Sequence, residues 1–149
     1  MRDTTCIFCE IIAGSEPASK VYEDSCVIAF LDLYPLNPGH TLIVPKFHVS
    51  TLDELDESTA SHIMKVAQQL VAAMRGMDKS LCTGVNLIMA NGASAGQEVF
   101  HAHLHLLPRI EKDGIRIGRS ARQTQMPRND LENYAGIIRN AISYIGENQ

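Results

Sequence analysis

The sequence predicts an α+β domain: a five-stranded, mostly antiparallel sheet with helices before, between and after it. Two patterns and one bulk property carry this expectation. Short apolar runs bounded by Gly, Pro, Asn and Asp alternate with one long stretch of helical periodicity. The chain's 149 residues, 45% hydrophobic and 20% charged, suffice for one domain with a real core.

In order along the chain, "CIFCEIIAG" places Ile7, Phe8, Ile11 and Ile12 at helical spacing and ends on Gly14, a glycine stop. "KVYED" and "CVIAFLDL" read as strands joined by a polar turn at Glu23 to Ser25. After the loop "YPLNPG", "HTLIVPK" reads as a third, buried strand ended by Pro45. From about Leu55 to Arg75, Ile63, Val66, Ala67, Leu70, Val71 and Met74 recur at three and four, with Asp56 as N-cap and Gly76 as terminator. "GVNLIMA" and "VFHAHLHLLPR" are the fourth and fifth strands, linked by "NGASAGQE". A polar, irregular stretch follows Pro108. Asp130 then caps a closing helix with Leu131, Tyr134, Ile138, Ala141, Ile142 and Ile145 on one stripe.

Composition narrows function. A net charge of -4, with the basic residues scattered, argues against sequence-independent nucleic-acid binding, which needs a basic stripe. The longest apolar run, Cys26 to Leu31, is too short for a bilayer, and the N-terminus lacks the features of a secretory signal. No membrane association is expected, and a cytoplasmic location is the default. There the four cysteines are thiols or metal ligands rather than disulfides.

Half of the six histidines stand on alternate positions in "HAHLHLLPR". On a strand, His101, His103 and His105 share one face, while Phe100, Ala102, Leu104 and Leu106 anchor the other. The glycines at 92 and 96 let backbone N–H groups approach an anion, although Asn-Gly is also an ordinary turn signal. Cys6, Cys9 and His48 are three of the four ligands of a closed tetrahedral zinc site, and His101 completes it if strand five lies beside the first helix. A redox pair and simple packing are the alternatives for the cysteines. Alternating histidines with His40 as third ligand also suit a catalytic zinc, but no acidic residue closely follows them to act as base.

"GQEVFHAHLHLLPR" resembles the H-x-H-x-H-x-x signature of the histidine-triad (HIT) nucleotide hydrolases and transferases, with Leu106 and Leu107 in the last two places. "CIFCEIIAG", "VIAFLDLYPLNPGHTLIVPKFH" and "GVNLIMANGASAGQEVFHAHLH" extend the resemblance over roughly residues 4 to 110. It implies a single HIT domain over 1–149, with its core at about 4–110 and a C-terminal extension with a helix at about 111–149. It further implies that His103 attacks the α-phosphate of a nucleotide, that His105 and His40 donate to phosphate oxygens, and that Asp32 accepts from the ribose hydroxyls. Phe8, Ile11 and Leu33 match the apolar base pocket, and Asn91, Gln97, Glu98 and Val99 line the phosphate, Glu98 through its main chain with its carboxylate turned away. Ala90 departs from the asparagine of many relatives, with Asn91 one place on. Cys6, Cys9, His48 and His101 match a structural zinc site of relatives with C-x-x-C, and no catalytic metal is expected.

The expected activity is hydrolysis of an AMP-type phosphoramidate or phosphoanhydride through a nucleotidyl-histidine. The alternatives are dinucleoside polyphosphate hydrolysis, nucleotidyl transfer, or non-catalytic nucleotide binding. The expected partners are a purine nucleotide, AMP or its conjugates, and a second copy of the chain. The resemblance implies a homodimer whose sheets join into ten strands through the long helix and strand four.

Overall fold

In strands with two covered faces, every residue is apolar and successive side chains serve different cores. A computed structural model, which describes residues 5–117 and 126–147, comes near this arrangement in the two strands Val27–Leu31 and Thr41–Pro45. Strands β1 (Lys20–Glu23), β2 (Val27–Leu31), β3 (Thr41–Pro45), β4 (Gly84–Ile88) and β5 (Leu104–Arg109) form one sheet in the order β1-β2-β3-β5-β4. All four pairings are antiparallel. Three helices accompany them: α1 (Ile7–Ala13), α2 (Glu57–Arg75) and α3 (Arg128–Glu147).

The alternation sorts the core into two. Val27 and Ala29 of β2, Ile43 of β3, and Leu104 and Leu106 of β5 pack with Ile63, Val66, Ala67 and Met74 of α2. Ile28 and Phe30, with Leu42 and Val44, pack instead with Cys6, Phe8, Cys9 and Ile11 at α1. His105 lies opposite Leu42, so it projects on the α1 face. α1 stops because Gly14 adopts φ 78°, a conformation costly to any residue with a Cβ. The Asp56 side chain accepts from Thr59 N and starts α2.

Several boundaries differ from expectation. β5 begins at Leu104, so His101 and His103 precede the ladder, and the bent approach is held by Ala102 N donating to Val49 O at 2.7 Å. Phe100 therefore leaves the core and is 51% exposed. α2 starts two residues after Leu55, because a 3-10 turn at Leu52–Glu54 ends on Leu55. α3 starts at Arg128 after Pro127, which puts Asp130 inside the first turn rather than at the cap. On its expected stripe Tyr134 and Ile138 are exposed, while the side chains of Leu131, Ala141, Ile142 and Ile145 lie outside the described residues. The chain divides into one compact unit ending at Ile115 and another from Arg116. No helix among the described residues is long and apolar enough to cross a membrane.

Candidate functional site

Two histidine groups lie on the α1 face, and hydrogen bonds assign their protons. Leu36 N donates to His40 Nδ1 at 3.3 Å, so the neutral His40 ring carries its proton on Nε2. That Nε2 lies 3.0 Å from His105 Nδ1 and donates to it, which leaves the His105 proton on Nε2. His103 Nδ1 lies 2.7 Å from the His101 carbonyl oxygen, which can only accept, so the His103 Nε2 lone pair is bare. The His103 and His105 rings meet edge to face, 4.7 Å between centroids. Of two rings in contact, one thus keeps a bare Nε2 and the other a protonated Nε2.

Burial keeps these rings neutral. Desolvation lowers His103, opposed by its bond to the His101 carbonyl and by the charge of Asp32. His105 is pushed down to about 4, first by desolvation and then by His103 and His40. Burial also lowers His40, with Asp32 Oδ2 3.6 Å from its Nδ1 pulling the other way. Asp32 Oδ1 accepts from Tyr34 N at 2.8 Å, which orients the carboxylate. Phe8 packs edge-on against both His103 and His101, at 5.2 and 5.9 Å, and Ile11 joins the same cluster.

The remaining predicted contacts are redistributed. Leu33 is 83% exposed, standing at the surface beside Asp32 rather than inside the α1-side core. Gln97 is buried with its amide fully engaged: Oε1 accepts from Gly92 N, and Nε2 donates to Ser50 O and Val99 O. It holds the loop shut instead of reaching outward. Asn91 Oδ1 accepts from Leu52 N, tying the same loop to the segment before α2. Within the loop, Gly96 N and Gln97 N donate to Ala93 O and Gly92 O. Among the described residues the N–H groups of Glu98 and Val99 take no partner, so these two remain to meet an anion. The Glu98 side chain is exposed, and Val99 packs at the edge of the α1-side core.

The second group is Cys6, Cys9, His48 and His101, whose ligand atoms all lie within 4.8 Å of one another. Zinc bonds of ordinary length in a tetrahedron put sulfur and nitrogen about 3.6 Å apart and two nitrogens about 3.3 Å apart. The observed separations are 3.4 Å for Cys6 Sγ to His101 Nδ1, 3.3 Å for Cys9 Sγ to His48 Nδ1, 3.7 Å for Cys9 Sγ to His101 Nδ1, and 3.2 Å between the two Nδ1 atoms. His101 Nε2 donates to Pro45 O at 2.9 Å, turning the Nδ1 lone pair inward, the outer-sphere arrangement of a ligating imidazole. Burial raises the Cys6 thiol, so a cation is what would offset two thiolates here. The set fits zinc. Asp32, His40 and His105 are also close enough to share an ion, but the His40 Nδ1 lone pair accepts from Leu36 N and that of His105 Nδ1 accepts from His40 Nε2, so both are already taken.

Comparison with known proteins gives the family and the fold. The family model described as HIT domain matches residues 13–112. Adenosine 5′-monophosphoramidase of Saccharomyces cerevisiae is 39% identical over 123 residues, covering 82% of this chain and 74% of its own. An adenylylsulfatase of Arabidopsis thaliana is 40% identical over 122 residues, covering 79% of this chain and 59% of its own. A HIT family protein from Bacillus anthracis superposes with TM-score 0.82 at 40% identity, covering 95% and 99% of the two chains. A zinc-bound histidine triad family protein from Mycobacterium smegmatis does so with TM-score 0.69 at 30% identity, covering 97% and 98%.

Proposed function

Because the chain belongs to the HIT domain family, we propose that it is a nucleotide hydrolase, cleaving an AMP-type phosphoramidate or phosphoanhydride through a nucleotidyl-histidine. The observation that carries the reading is the contact of two rings, His103 with its Nε2 bare and His105 with its Nε2 protonated. His103 Nε2 attacks the α-phosphorus; the P–Nε2 bond forms as the bond to the leaving amine or oxygen breaks, and the departing atom takes up a proton from solvent. His105 donates Nε2–H to a non-bridging oxygen, and the N–H groups of Glu98 and Val99 face the same charge. His40 serves by donating to His105 Nδ1, which holds the His105 proton on its outer nitrogen. Water then cleaves the adduct, releasing AMP and restoring His103.

Asp32 accepts from the ribose hydroxyls, and Phe8 and Ile11 back the base. The adenosine assignment is supported by the names of the yeast and Arabidopsis relatives, which are an AMP phosphoramidase and an adenylylsulfatase. Cys6, Cys9, His48 and His101 hold a structural zinc in this reading, supported by the ligand spacing. The ion would neutralise two thiolates and cross-link α1, the segment after β3 and the approach to β5. β4 lies at one end of the sheet order with Leu87 exposed, and Met64 of α2 is 54% exposed; these support a second copy of the chain as partner.

Acid-quench trapping with AMP labelled at phosphorus, presented as its phosphoramidate, tests the reaction. Label is expected on His103, and His103→Ala is expected to bind nucleotide while losing about 10³-fold or more of turnover. Label on another residue, or undiminished turnover in His103→Ala, would sink the reading.

A further inference from the structure

The stretch after Pro108 reads from sequence as polar and irregular, yet its first residues build a partly buried polar knot. Asp113 has a side chain 5% exposed and accepts four hydrogen bonds. Its Oδ2 takes Arg109 Nε at 2.6 Å and Asn37 Nδ2 at 2.9 Å; its Oδ1 takes Arg109 Nη2 at 2.6 Å and Ile115 N at 3.0 Å. Arg109 uses two further donors on Asn86 Oδ1 of β4 and on Ile115 O, four of its five in all. A bidentate charged pair with this many hydrogen bonds is rigid, because each displacement breaks several charge-assisted bonds at once.

Asn37 carries that rigidity into the loop between β2 and β3. Its amide also donates to Pro108 O at 2.9 Å, and its own carbonyl accepts from His40 N at 3.1 Å. The neighbouring Gly39 turns the chain at φ 83°, a conformation costly to any residue with a Cβ. Between Asp32 and His40 the loop is closed by Asp32 N donating to His40 O. Asn37 thus meets the knot with its side chain and His40 with its backbone.

We propose that Asn37, Asp113 and Arg109 are positioning residues for His40, clamping the loop so that His40 Nε2–H stays aimed at His105 Nδ1. The consequence for rate rests on the nucleotidyl-transfer reading above; the consequence for the His40 proton does not. None of the three needs to touch the nucleotide.

The test uses the full chain, with turnover of adenosine 5′-phosphoramidate expressed per site by acid-quench trapping. Asn37→Ala and Asp113→Asn are each expected to lower kcat by about tenfold, with KM changed by less than about twofold. On a His40→Ala background, Asn37→Ala is expected to cost less than about twofold more, since its route of action is already gone. Ring ¹⁵N–¹H spectra are expected to lose or weaken the His40 Nε2–H signal in both clamp variants. An unchanged kcat in Asn37→Ala, a full multiplicative loss on the His40→Ala background, or an unaltered His40 signal overturns the proposal. If Asp113→Asn fails to fold, Asn37→Ala decides alone. Should the wild type turn over no nucleotide, the hydrolase reading fails, and the ring spectra still judge the clamp.

Discussion

Single residues here are set by where their protons go. His105 is the clearest case, its pKa pushed from 6.5 to about 4 by burial and by His103 and His40. The folded protein refuses a proton that the unfolded chain accepts, so this group costs nothing above pH 6.5 and subtracts stability as pH falls toward 4. Thermal unfolding between pH 7.5 and pH 5 should therefore shift to lower temperature, and His105→Gln should flatten that slope, as calorimetry would record. Equal slopes in the two proteins would contradict the assignment of a buried neutral ring. The triad and the cysteine pair were readable in the sequence because their spacing is local. Gln97 and the Asn37–Asp113 contact were not: residue type announced polarity, but the partners lie 47 and 76 positions away.

At the level of elements, periodicity located the five strands and three α-helices, and the stops at Gly14, Pro45 and Gly76 fall where expected, while the starts of β5 and α3 shift. β5 was read as starting at Val99 because apolar and histidine positions alternate throughout, yet pairing with β3 starts at Leu104 opposite Ile43. Alternation records which face is apolar, whereas a strand needs a neighbour to bond with. The long helix gave itself away through Asp56 and its apolar stripe, while the 3-10 turn before it left no periodic trace. Leu106 shows what the sheet-to-α2 contact is worth. Fully buried among Ile43, Ile63 and Val66, it should lose about 2–5 kcal/mol of stability on truncation to Ala, by denaturant unfolding. A loss below about 1 kcal/mol would mean that this core collapses around the gap.

For the whole molecule, the sheet order leaves β1 and β4 at its ends. A second copy joining through β4 and α2 would bury Leu87 and Met64, which solvent reaches in the single chain. Sedimentation at micromolar concentration is expected to give twice the chain's 16.4 kDa; a particle of one chain's mass would remove the dimer. Fold class was legible because the alternation of short apolar runs with one amphipathic helix admits few layered solutions. The tail was less so: the described part of α3 presents Tyr134, Ile137 and Ile138 outward, a stripe whose purpose periodicity alone does not state.

His101 is shared property. Its Nδ1 faces the cysteines, its Nε2 holds the Pro45 carbonyl, and its own carbonyl holds His103. In the proposed reaction, a visible-spectrum ion seated among the cysteines would be joined through this one residue to the ring that attacks phosphorus.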